Sequence, residues 1–144
     1  MEKILVAVDG SETANKALIR AKQIGRAFNS EITIIYVMED VSSRYAINIT
    51  DSQTYKDPLN VVFKKHAEEV LVDAMEEFKD YDNKVDTLIE HGNPAFKILD
   101  FSEKGNYDLI IMGSRGLGPF SRAVMGSVSN KVVHHAKMSV LIVK

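Results

Sequence analysis

Five short apolar runs, at 4–8, 32–37, 85–89, 109–112 and 140–143, limit what this chain can fold into more than any other feature of its sequence. They are rich in Ile and Val, and most lack the strict apolar–polar alternation of a strand with one wet face. Such runs read as strands buried on both faces. Between them the apolar period lengthens. Ala14, Ala17, Leu18, Ala21, Ile24, Gly25 and Phe28 fall at three-four spacing, as do Val70, Leu71, Ala74, Met75 and Phe78. Ala95, Ile98 and Leu99 form a shorter third stripe, and Val128, Val132 and Val133 a fourth, with Ala136 beyond it. That spacing belongs to helices with one apolar face. Strands alternating with helices imply an α/β fold, a parallel sheet whose right-handed crossovers pack helices on both faces. Ser11 is placed to cap the first helix, and Pro94 suits the first turn of the third.

The 144 residues show no internal repeat and no second pattern, so the chain reads as a single domain over 1–144, large enough for a substantial core. A formal net charge of −2, with Lys and Arg scattered, excludes the cationic footprint that a nucleic-acid backbone requires. The absence of cysteine excludes a disulfide framework, a thiolate zinc site and a cysteine nucleophile together. The first ten residues reach only a short apolar run, too short for the core of a signal peptide, and no stretch of about 18 apolar residues offers a membrane helix. The expected location is the cytoplasm, away from membranes. One segment departs from the regular alternation. Residues 39–58, EDVSSRYAINITDSQTYKDP, are polar, turn-rich and long for a connection, and are expected to be mobile without ligand.

The most informative chemistry lies at 110–133, IIMGSRGLGPFSRAVMGSVSNKVV. The fourth apolar run stops at Gly113, and Gly116 and Gly118 follow. Gly126-Ser127 then opens the last helical stretch. In a doubly wound sheet, the loops beyond the carboxyl ends of the strands form the binding edge. Glycines there allow positive φ and let a ligand approach main-chain N–H groups. A helix beginning at Gly126-Ser127 would offer unpaired N–H groups and its dipole to a phosphate, with the Ser127 and Ser129 hydroxyls close by. A glycine-rich turn with an ordinary helix start is the other reading, and these residues alone leave both open.

Gly113, Gly116 and Gly126-Ser127 match the G-x2-G-x9-G-[S/T] signature of the ATP-binding branch of the universal stress protein family. ILVAVDGSE at 4–12, GNPAFKIL at 92–99 and GSVSNKVVHHAKMSVLIVK at 126–144 resemble that family's first strand and turn, the start of its third helix, and its last helix and strand. The resemblance runs the length of the chain. Ala7 stands where many members have proline, and Met138-Ser139 where many have Cys-Pro. The resemblance implies an open five-stranded parallel sheet of order 3-2-1-4-5 with ATP at the switch between strands one and four. It places Asp9 by the ribose or a metal-bound water, and main-chain atoms of Ala7, Val8 and Val37 around the adenine and ribose. Gly113, Ser114, Arg115, Gly116, Gly126, Ser127, Val128 and Ser129 would surround the phosphates. Mg or Mn would be held mainly by the phosphates, with no protein side chain assigned to the metal.

No G-x4-G-K-[ST] motif supplies a P-loop lysine, and no general base is evident. His66, His91, His134 and His135 are the histidines, and adjacent His134 and His135 would point about 100° apart on a helix, a poor geometry for one metal. The expected function is therefore an ATP-binding stress-response switch, with a slow ATP-hydrolysing or nucleotide-transferring enzyme as the alternative. A receiver or flavodoxin-like module fits less well, because only Asp9 stands after the first strand and the third ends IEHG, without a phosphoacceptor Asp. The final run, 140–143, carries no proline, glycine or charge. As the edge strand of a 3-2-1-4-5 sheet it would pair with a second copy of the chain in a homodimer.

Overall fold

The computed structural model describes residues 1–40, 58–117 and 125–144. The expectation of mobility over 39–58 falls almost wholly at 41–57, outside the described residues, and Gly118 lies outside them too. The elements follow the expected alternation: β1 (Lys3–Val8), α1 (Glu12–Phe28), β2 (Glu31–Met38), α2 (Pro58–Glu77), β3 (Val85–His91), α3 (Pro94–Lys104), β4 (Leu109–Gly113), α4 (Ser127–His135) and β5 (Ser139–Val143). The strands form one parallel sheet of order β3-β2-β1-β4-β5. Val6 is in register with Ile34 on one side and Ile111 on the other, which makes β1 the centre of the sheet.

Because successive strand side chains point to opposite faces, β1 divides its residues between two cores. Ile4, Val6 and Val8 pack with Ala14, Ala17, Leu18 and Ala21 of α1 and Leu71 and Ala74 of α2. Leu5 and Ala7 pack with Ala95 and Ile98 of α3 and Val132 of α4. The two-sided burial inferred from the Ile/Val runs holds in β1 and β4, and fails in β3. Asp86 and Thr87 are exposed there, because β3 is an edge strand with a neighbour on one side only.

The helical stripes are narrower than their sequences suggest. Neighbouring helical residues sit about 100° apart, so Ala74 and Val132 face the sheet while Met75 and Val133 turn to solvent. Phe28 is also exposed, in the last turn before the left-handed Asn29 that ends α1. The helix starts differ in how they are capped. Ser11 caps α1 by accepting from the Ala14 N–H, and Asn93 caps α3 by accepting from the Phe96 N–H, with Pro94 in the first turn. α4 begins at Gly126 with no side-chain cap. Among the described residues, no helix is long and apolar enough to cross a membrane.

Candidate functional site

The chain crosses from one face of the sheet to the other between β1 and β4, and a crevice opens there beyond the carboxyl ends of both strands. It encloses about 380 Å³. Ala7, Val8 and Asp9 line it from β1, and Val37 from β2. Gly113, Arg115 and Gly116 line it from the end of β4, and Gly126, Ser127, Val128 and Ser129 from the start of α4. Every residue expected from sequence thus borders one cavity, except Ser114. Ser114 is buried and acts through its backbone. Its N–H donates to the Val143 carbonyl at 2.8 Å, and its carbonyl accepts from the Gly126 N–H at 2.8 Å and the Ser129 hydroxyl at 3.0 Å.

These bonds revise one expectation. Ser129 is fully buried, and its hydroxyl donates to the carbonyls of Ser114 and Gly126. A hydroxyl carries one proton, so Ser129 ties the loop to α4 instead of offering that proton to a ligand. The positive φ that glycine allows is used, among the described glycines, by Gly10 and Gly92, not by Gly113, Gly116 or Gly126.

The three glycines serve different purposes. A Cβ on Gly113 would collide with Thr13 Oγ1 and come within 2.9 Å of the Ala14 nitrogen, so this glycine lets β4 lie against the start of α1. One on Gly116 would meet Asp9 Oδ2 at 2.8 Å, the movable end of a side chain. One on Gly126 would make only ordinary contacts, 3.5 Å from Arg115 Cα and from the Ser114 carbonyl oxygen. The protein itself therefore does not require glycine at 126.

Asp9 both holds a turn and faces the crevice. Oδ1 accepts from the Ser11 N–H at 2.9 Å, which sets the turn into α1, while the carboxylate also borders the cavity. Among the described residues, Arg115 and Glu39 are the other charged ones lining the crevice. Among the described residues, no group of three or more His, Asp or Glu is arranged to hold a metal ion. His134 and His135 lie away from the cavity lining, each with Nδ1 hydrogen-bonded at 2.8 Å to the carbonyl one turn back, Asn130 and Lys131 respectively.

The sequence reading missed the walls. Ile35, Tyr36 and Glu39 flank Val37 along the end of β2, Pro94 and Ile98 approach from α3, and Ala14, Met112 and Leu117 line it as well. Their signal was topological: once β1 and β4 are neighbours, the end of β2 and the start of α3 must border the same crevice.

This crevice sits on a chain that matches the universal stress protein family over residues 1–144. The protein belongs to that family. Universal stress protein MJ0531 of Methanocaldococcus jannaschii is 32% identical over 143 residues, covering 99% of this chain and 82% of its own. Universal stress protein YxiE of Bacillus subtilis is 31% identical over 150 residues, covering 99% and 98%. Among solved structures, universal stress protein UspA from Lactobacillus plantarum superposes with a TM-score of 0.81 at 26% identity, covering 99% of this chain and 97% of its own. A universal stress protein in complex with cAMP gives 0.72 at 25% identity, covering 99% and 97%. A family protein from Arabidopsis thaliana with AMP bound shares the fold at 20% identity, with a TM-score of 0.67 and coverage of 100% and 92%.

Proposed function

We propose that this universal stress protein is one nucleotide-binding unit that takes ATP, with Mg or Mn, in the β1–β4 crevice and works as a regulatory switch. The observation that carries the reading is the uncapped start of α4. It borders a cavity lined by both apolar and polar residues, at the reversal of strand order. Ala7, Ile35, Val37, Ile98 and Met112 offer an apolar slot of the kind a purine ring requires. The first-turn N–H groups of Ser127, Val128 and Ser129 lack a capping side chain, and the helix dipole adds positive potential for phosphate.

The donor set fits the implied ligand. Asp9 and Glu39 can accept from ribose hydroxyls, and Arg115 can neutralise part of a phosphate chain. Among the described residues, one guanidinium and one helix end do not balance a triphosphate beside two carboxylates, and a divalent cation bound to the phosphates would supply further positive charge. Space at Gly126 where a side chain would otherwise stand also supports the reading. So do the relatives in complex with cAMP and AMP.

A homodimer belongs to the same proposal. β5 ends the sheet, and Val140, Leu141, Ile142 and Val143 remain half-buried on an open edge. Antiparallel pairing about a two-fold axis would close that edge. The proposed location is the cytoplasm, where ATP and Mg are both abundant. Mass spectrometry of small molecules released on denaturing the purified protein tests the occupant. Adenine nucleotide at near one per chain supports the reading, and its absence after purification in ATP and Mg counts against it.

A further inference from the structure

Thr13 lies outside the cavity lining, yet its hydroxyl donates at 2.8 Å to the carbonyl of Arg115, in the loop that carries the phosphate side of the crevice. Ser11 Oγ donates to the same carbonyl at 3.3 Å while accepting from the Ala14 N–H. A carbonyl oxygen has two lone pairs and can accept both. The Arg115–Gly116 peptide is trans, so its N–H points opposite to its carbonyl. Fixing that carbonyl toward α1 turns the Gly116 N–H away from α1. The Gly116 nitrogen lies 3.7 Å from where a Cβ on Gly126 would stand, beside the start of α4.

We propose that Thr13 is a positioning residue for the phosphate end of the ligand. By holding the Arg115 carbonyl, it orients the Gly116 N–H to act with the first-turn N–H groups of α4 on one anion. Gly113 is the condition for this, because only a residue without Cβ lets β4 approach Thr13 closely enough for its hydroxyl to reach residue 115. The inference rests on the nucleotide reading above and adds to it a control point on the first helix. Its signature is selectivity: loss of the hydroxyl weakens ligands with a phosphate chain and spares those without one.

The test compares binding of ATP with Mg and binding of adenosine by calorimetry, in wild type, Thr13→Val and Thr13→Ser, with thermal melts of each. Valine keeps the shape and removes the hydroxyl, and serine keeps the hydroxyl. Thr13→Val is expected to lose about fivefold in ATP affinity, the scale of one hydrogen bond, with adenosine unchanged within twofold and Thr13→Ser close to wild type. Equal loss of ATP and adenosine, or no loss of either, in a folded Thr13→Val protein would overturn the inference while leaving the nucleotide reading intact. If valine prevents folding, Thr13→Ala removes the same hydroxyl without bulk and reads the same ratio. A wild type that binds neither ligand would overturn the nucleotide reading and this inference with it.

Discussion

Gly126 donates its backbone N–H to the carbonyl of Ser114 at 2.8 Å. That bond joins the end of β4 to the start of α4 and brings both sides of the proposed phosphate site onto one frame. The Ser129 hydroxyl reinforces it from within α4. Since the N–H of Gly126 is engaged in the frame, the groups left for an anion are those of the next residues, in the first turn of α4.

The first prediction separates stability from binding at the two glycines. Gly126 has φ −59° and ψ 158°, values suited to a capping residue. Gly126→Asp should cap α4 through its carboxylate, hold or raise the melting temperature, and abolish ATP binding by occupying the anion site with its own charge. Gly113→Ala should instead destabilise by about 1–3 kcal/mol through overpacking against Thr13 and Ala14. Thermal melts with ATP titrations measure both, and a Gly126→Asp protein that binds ATP like wild type would misplace the site.

Asp9 can be divided in the same way. Asp9→Asn keeps an acceptor for the Ser11 N–H but removes the charge, whereas Asp9→Ala removes both. The alanine variant should lose roughly 1–3 kcal/mol of nucleotide affinity, the range for a charged hydrogen bond. The asparagine variant should keep its stability and fall between. Unchanged dissociation constants in both variants would confine Asp9 to the turn.

Much of this was legible beforehand because buried parallel strands leave a strong trace. Continuous Ile/Val runs gave the strand positions, and the Ser11 and Pro94 signals gave two helix starts. What stayed hidden depends on three-dimensional partners. Gly113 lines the crevice as expected, but it also lies against Thr13, a hundred residues away in the chain, and no local pattern announces that contact. Ser129 looked like a free donor because a sequence does not show that the Ser114 carbonyl lies 3.0 Å from its hydroxyl. Edge strand β3 shows the limit of apolar runs, since exposure of Asp86 and Thr87 depends on strand order.

Acid stability should report on the start of β1. The N–H groups of Lys3 and Glu2 donate to Asp108 Oδ2 at 2.9 and 2.7 Å, and these bonds, Lys3 first, hold its carboxyl below the usual carboxylate range. A lowered folded pKa contributes stability above the unfolded value of about 4, and that contribution disappears as pH falls through the folded value. Wild type should therefore exceed Asp108→Asn in urea midpoint near neutral pH, with the gap narrowing below about pH 4. A gap independent of pH would assign the difference to packing.

The β5 edge predicts the oligomeric state. Sedimentation equilibrium should give about twice the 16.1 kDa chain mass at tens of micromolar. Ile142→Pro, which removes a backbone donor and bends the edge, should give monomer or precipitate. A wild-type mass of one chain would remove the dimer from the account.

The most direct test is calorimetric titration of the purified, nucleotide-stripped protein with ATP and Mg, beside the Gly126→Asp variant. The account predicts saturable binding of one ATP per wild-type chain, with no detectable heat from the equally stable variant. No binding by a folded wild type, or equal binding by both proteins, would contradict it.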